Sequence, residues 1–425
     1  MQKDIVLNQK RQKEQLLAVE YVPRTQDQFG KKWLDSSLIK VVLGPRRAGK
    51  SVYSLMLLKD RPFMYFNFDE EAMATMNATD THELMKELHA AYGDVKTILF
   101  DEIQNLPNWE LFANRLHREG YNLVLTGSNA NLATHLTGRH MPIEILPFDF
   151  DEFLRAKKFA LDPQYASLPE QRGILLNLME QYLYNGGFPE VVVSNLDPKD
   201  YLQVLFDALL FKDVVKRHKV KFSTKVSVLG SHLINNFASL YTTRKLLDIL
   251  DLKSATTTEK YINYLEEAYL IFSISRYSHQ SSYRIKSPRK VYAVDNGFVT
   301  AKAIQHSPDR GKLMENLVFM ELVKRGFEPE RELFYYKTRN NREIDFVVKK
   351  EIEVLGLYQV CYESVNQAVE DREAKALIEA SGELKTDNLT VLTWDEEREI
   401  KRNGKTIQFK PLWKWLLESK SGINT

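Results

Sequence analysis

An α/β architecture built on a parallel sheet is what this chain predicts, and three stretches carry the prediction. Val41-Val42-Leu43 is a short apolar run rich in β-branched residues, the pattern of a strand buried on both faces. Gly44 to Ser51 follow as G-x-x-x-x-G-K-S, and Leu55, Met56 and Leu58 then fall at helical spacing. Lys96-Thr97-Ile98-Leu99-Phe100-Asp101-Glu102 is a further apolar run ending in paired acids. Strand, glycine loop and helix in that order are the setting of a phosphate-binding loop. The glycines let the backbone curl round an anion, and the N–H groups and helix dipole then face it. Gly44, Pro45, Arg46, Arg47, Ala48 and Gly49 are expected to cradle the phosphates of ATP, with Lys50 at the β/γ-phosphates and the Ser51 hydroxyl on Mg²⁺. Asp101 is expected to orient Mg²⁺ and its waters, and Glu102 to polarise the attacking water as general base.

Composition narrows the class. With 425 residues, 44% of them hydrophobic, the chain has material for two or three domains with their own cores. A net charge of +2 gives no global field toward nucleic acid, so any such contact must come from local clusters. A single cysteine, Cys361, excludes an intramolecular disulfide framework and fits a reducing compartment. The first residues, MQKDIVLNQKRQKEQL, lack the apolar core of a signal peptide, and no run reaches the length of a membrane span. A soluble cytoplasmic protein is the simplest expectation.

In chain order, residues 1 to 39 predict a helix or two, with Arg11, Lys13 and Arg24 as solvated surface. Pro62 to Phe68 reads as a strand, Thr81 to Tyr92 as a helix, Leu111 to Glu119 as an amphipathic helix and Asn122 to Asn129 as a core strand with polar residues at its exit. In a parallel sheet the carboxyl ends of strands face the ligand, so Thr126, Ser128 or Asn129 can sense the γ-phosphate; a helix N-cap by Ser128 or Asn129 is the equal alternative. Glu144 to Phe148 reads as the last strand. Arg139 has the chemistry of an arginine finger, and a solvated surface arginine is its equal alternative.

GPRRAGKS, LFDEIQNLPNW, LVLTGSNANL, the Gly138-Arg139 pair and EILPFDFDEFL together resemble the AAA-type ATPases of bacteria and archaea in which the ATPase core precedes a C-terminal domain of unknown function, DUF4143. YLYNGGFPEVV, FKDVVKRHKV, KVYAVDNGF, ENLVFMEL and REIDFVV extend the likeness along nearly the whole chain. The resemblance sharpens architecture more than purpose. It implies an ATPase core over residues 1–160 and a helical lid over 161–222. Within the lid, Asn185-Gly186-Gly187 closes a helix as glycines do at C-caps.

The rest of the chain follows from its own patterns. Lys212, Lys216, Arg217, His218, Lys219, Lys221 and Lys225 form a basic stretch, read either as a solvated face or as a nucleic-acid or inter-subunit contact. Residues 223–300 read as a winged helix: a helix from Val226 to Leu240, a second from Thr243 to Leu250, a third capped by Thr256 or Thr257, then a hairpin from Ile271 to Val294. Arg276, His279, Arg284, Lys286, Arg289 and Lys290 interleave there with Tyr277 and Tyr283, suiting either a DNA backbone or a docked protein. Glu259, Glu266 and Glu267 on the third helix weaken base readout. Residues 301–425 resemble a PD-(D/E)XK nuclease fold, with Glu315 and Asp345 matching its first acids. Gln359-Val360-Cys361 stands where Glu-x-Lys belongs, losing a carboxylate and a positive charge. The function expected is a Mg²⁺-dependent ATPase coupling nucleotide state to a DNA or protein partner, with a homo-oligomer required if Arg139 acts on a neighbour. An ATP-regulated nuclease and a non-hydrolysing switch or adaptor are the alternatives.

Overall fold

The computed structural model describes residues 2–70, 80–136, 138–160, 168–194, 196–278, 280–303, 309–362 and 367–418. Two compact units emerge: residues 1–147 with 267–269, and 148–266 with 270–425. The helix Phe150–Ala156 lies in the second unit.

The first unit is organised by a parallel sheet of β1 (Ile39–Leu43), β2 (Met64–Asn67), β3 (Thr97–Asp101), β4 (Asn122–Gly127) and β5 (His140–Glu144), in the order β2-β3-β4-β1-β5. Every residue of β1 is buried, as an apolar run covered by helices on both faces requires. The last strand begins earlier than expected. His140–Glu144 pairs with β1, while Ile145 to Phe148 leave the sheet after one bond from Ile145 N to Leu43 O at 2.8 Å. The order has one decisive consequence. β4 lies between β1 and β3, so its exit at Gly127-Ser128 falls between the glycine loop after β1 and the acids after β3.

Two basic residues expected on the surface are buried. Lys13 Nζ donates to Phe63 O at 3.0 Å and lies over the rings of Phe63 and Tyr92. The Arg24 guanidinium reaches Ala48 O of the glycine loop at 2.9 Å and Leu146 O at 2.5 Å. Sequence spacing marks neither, because their acceptors are carbonyls far away along the chain.

The second unit carries two further sheets. β6 (Ser239–Tyr241), β7 (Ile271–Ile274) and β8 (Arg289–Ala293) form an antiparallel sheet in the order β6-β8-β7. The helix expected to run to Leu240 stops at Asn235, and Ala238 in the left-handed region turns the chain into β6. The third helix starts before its expected cap: it spans Ala255–Glu267, and Ser254 Oγ accepts from Thr257 N at 3.4 Å. β9 (Leu333–Lys337), β10 (Glu343–Lys350), β11 (Glu353–Cys361), β12 (Leu389–Thr393), β13 (Arg398–Arg402) and β14 (Lys405–Pro411) form a mixed sheet ordered β13-β14-β12-β11-β10-β9. Gly186 ends the helix Pro169–Asn185 at φ 72°, as expected, and a Cβ there would also collide with Asp295. No helix of the described residues is long and apolar enough to cross a membrane.

Arg24→Ala leaves two buried carbonyls without their donor. Each such loss costs about 1–3 kcal/mol, so the thermal midpoint of the first unit is expected to drop by several degrees, read by calorimetry.

Candidate functional site

The glycine loop is shaped by its sequence. Gly49 sits at φ 94° and Gly44 at φ 142°. A Cβ on Gly44 would stand 2.0 Å from Ile145 O, so glycine is required on both counts. Arg47 takes the left-handed region at φ 65° and is exposed, while Ala48 is buried. Arg46 Nη1 pairs with Asp69 Oδ2 at 3.6 Å. The loop ends at the helix Lys50–Leu58, the element that supplies a dipole toward an anion.

Lys50 is only 3% exposed; its Nζ donates to Pro45 O at 2.9 Å and lies 3.8 Å from Glu102 Oε1. Ser51 Oγ donates to Asp101 Oδ1 at 2.9 Å. The same carboxylate accepts from Thr126 Oγ1 of β4 in a close contact, and from Tyr65 OH of β2 at 3.4 Å. Burial pushes the Asp101 pKa up, and the charge of Glu102 adds to this; bonds from Thr126 and Ser51 and the Lys50 charge oppose it. Glu102 leaves β3 at φ 50°, a left-handed conformation a glutamate adopts only when its surroundings impose it. Its backbone N–H is held by Thr126 Oγ1 at 2.9 Å.

Lys50, Ser51, Asp101, Glu102 and Ser128 lie together beside the glycine loop. Ser128 faces the acid: its hydroxyl donates to Glu102 Oε2 at 3.4 Å. Two residues of the site were not read as part of it in the sequence. One is Arg24, which braces the loop at Ala48 O. The other is Gln104, whose amide Nε2 contacts Glu102 Oε2 closely and reaches Ser128 Oγ at 3.5 Å. The sequence offered one signal for Gln104, its place just past the paired acids.

Arg139 is not brought to this site. It is exposed, and its carbonyl accepts from Ile39 N at the start of β1. The glycine loop follows Leu43 at the other end of that strand, on the order of 13 Å away at the rise of a β-strand.

A second cluster of charge lies in the second unit. Lys290 of β8, expected on a phosphate-binding wing, is 4% exposed; its Nζ lies 2.8 Å from Glu315 Oε1, 2.8 Å from Glu343 Oε1 and 3.4 Å from Asp345 Oδ1. Burial lowers the Lys290 pKa, but Glu315, Tyr292, Asp345 and Glu343 outweigh it and hold the ammonium charged. Gln359 Oε1 accepts from Asp345 N at 3.3 Å, and Cys361 joins the apolar core. The basic hairpin shrinks accordingly. Arg276 Nη2 donates to Lys337 O at 2.6 Å, Arg289 pairs with Glu330 at 3.3 Å, and Tyr277 is buried. Tyr283 and Lys286 remain exposed and Arg284 half-exposed; His279 lies outside the described residues. Among the described residues, no group of three or more His, Cys, Asp or Glu has the geometry to hold a metal ion.

Comparison with known proteins gives a consistent picture. Residues 36–154 match the AAA domain family, 176–308 a domain of unknown function (DUF8612) and 310–415 the domain of unknown function DUF4143. An uncharacterized protein of Methanocaldococcus jannaschii is 34% identical over 399 residues, covering 89% of this chain and 88% of its own. An uncharacterized protein of Haemophilus influenzae is 31% identical over 351 residues, covering 77% and 84%. Among solved structures, the Walker-type ATPase of Pyrococcus abyssi is similar at 17% identity, covering 68% of this chain and 99% of that one with a TM-score of 0.42.

Lys290→Met strands buried carboxylates without their counter-ion. Breaking a buried pair from one side costs about 3–5 kcal/mol, so the urea midpoint of the second unit is expected to fall sharply while that of the first stays put.

Proposed function

The chain belongs to the family in which an AAA domain precedes a DUF4143 domain, and on that premise we propose that it binds ATP with Mg²⁺ on Gly44 to Ser51 and hydrolyses it, using the nucleotide state to control a partner held by the rest of the chain. The observation that carries this reading is the 2.9 Å contact between the Ser51 hydroxyl and the Asp101 carboxylate, with Lys50 and Glu102 beside it. These are hard oxygen donors in small number, which suits an ion that keeps its waters and takes one or two protein oxygens beside phosphate. Ser51 and Asp101 would hold Mg²⁺ there, and the ion would supply positive charge to neutralise what develops on the phosphates during hydrolysis.

The chain's own residues supply the rest. Lys50 turns its ammonium from Pro45 O toward the phosphates. Loop N–H groups and the dipole of the helix Lys50–Leu58 face the same anion. Glu102 accepts the proton of the attacking water on its carboxylate, and Ser128 lies against that carboxylate rather than capping a helix. Arg139, whose backbone sits at the opposite end of β1 from the glycine loop, serves a neighbouring chain's nucleotide in this reading rather than its own. The nuclease reading weakens, because the residue beside Asp345 on the neighbouring strand is the neutral amide Gln359, a poor substitute for a carboxylate at Mg²⁺.

Lys50→Ala is expected to abolish nucleotide binding. Glu102→Gln keeps ATP bound and lowers kcat by about 100- to 10,000-fold, the usual worth of a general base, and chelating Mg²⁺ with EDTA stops turnover of the wild type. Binding of ATP with no turnover beyond that of Glu102→Gln replaces this reading with a non-hydrolysing switch.

For the partner, a protein fits better than DNA, since Arg276, Arg289 and Lys290 are all engaged within the chain. Replacing Arg284 and Lys286 with alanine is expected to leave DNA retention at low salt unchanged. A fall in the salt slope of roughly one unit per lost phosphate contact would restore the DNA reading.

A further inference from the structure

We propose that Gln104 is the positioning residue that aims Glu102, acting with Ser128 as a clamp on one carboxylate oxygen; the inference rests on hydrolysis at the glycine loop. Three observations lead to it. The first is the turn. Glu102 leaves β3 in the left-handed region, and the tight turn Ile103–Asn105 follows, closed by Asn105 N on Glu102 O at 3.1 Å. That turn brings the Gln104 side chain back beside the Glu102 carboxylate, two positions earlier in the chain.

The second is the division of labour between the two carboxylate oxygens. Glu102 Oε2 takes the Gln104 amide in a close contact and the Ser128 hydroxyl at 3.4 Å, and Gln104 Nε2 also reaches Ser128 Oγ at 3.5 Å. Two donors on one oxygen fix the plane of the carboxylate, as charge-assisted bonds do. The other oxygen, Oε1, is directed toward Lys50 at 3.8 Å, the side on which the phosphate chain lies in the proposed complex. A general base works only within hydrogen-bond reach of the proton it takes, so whatever fixes that plane governs the rate.

The third is what the arrangement gives up. Gln104 Oε1 is buried with no hydrogen-bond partner among the described residues. It is accommodated by Gly127, where a Cβ would stand 2.6 Å from Oε1 and 2.3 Å from Leu132 Cδ2. A glutamine kept only to staple the turn is better placed where both ends of its amide are bonded, because a buried orphan acceptor is destabilising. Here only the donating end is used, and it is spent on the acid.

The test uses full-length protein and two substitutions. Gln104→Met keeps length and shape but removes the donor. Gln104→Glu keeps the shape and sets a charge against Glu102. Both are expected to lower kcat by about 10- to 100-fold, the cost of a misaimed catalytic group, with KM and affinity for a fluorescent ATP analogue within twofold of wild type. In a Glu102→Gln background, single-turnover rates are expected to show no further loss on adding Gln104→Met, because Gln104 acts only through Glu102. An unchanged kcat in both variants overturns the inference. So does an equal loss in both backgrounds, or a fall in kcat that merely follows a lowered melting temperature. If the wild type turns over no ATP beyond Glu102→Gln, hydrolysis fails and the positioning role with it; turnover that is indifferent to Gln104 sinks the positioning role alone.

Discussion

The nucleotide-facing unit depends on one buried carboxylate. Asp101 is 3% exposed, and an anion so far from water must be bonded on several sides or neutralised. Its bonds come from three different elements: Ser51 in the helix after the glycine loop, Thr126 in β4 and Tyr65 in β2. Thr126 does double duty, since its hydroxyl also holds the Glu102 N–H. The strand order makes this possible by setting β4 between the loop strand and the acid strand. Charge, sheet order and loop shape are therefore one constraint, and moving any of them breaks the others.

A comparable constraint holds the second unit together with the signs reversed. There a buried ammonium, Lys290, is surrounded by Glu315, Glu343 and Asp345, and Tyr292 OH donates to Glu315 at 2.7 Å. These groups come from β8, from the helix Arg310–Lys324 and from β10, so one cation ties three elements. Buried ion clusters of this kind are costly to assemble and costlier to break. That asymmetry favours a single packing of β8 against the later sheet.

How much of this was legible in the sequence follows from how local each feature is. The glycine loop could be read because its strand, turn and helix are contiguous and its glycines are demanded by φ and by the closeness of Ile145 O. Asp101 and Glu102 could be read because they end an apolar strand. Lys290 could not, since its partners Glu343 and Asp345 lie 53 and 55 residues on and nothing near it hints at an acid. Its neighbours Arg276 and Arg289 looked open to a DNA backbone or a docked protein for the same reason. Arg24 was hidden because its partners are carbonyls, which every residue carries. Gln104 was in plain view beside the acids, but its role depends on a left-handed turn at a glutamate, a conformation no propensity announces.

The contacts of Lys50 bear on what the proposed nucleotide site accepts. Its ammonium has a carbonyl at 2.9 Å and a carboxylate at 3.8 Å. Entry of a ligand is an exchange of partners, and only the surplus over those existing contacts appears as affinity. A neutral nucleoside brings nothing to displace them, and a monophosphate brings little. A polyphosphate, with its dense negative charge, overcomes them. On the proposed function, the loop selects by charge density before shape, and the chain's own oxygens set the threshold.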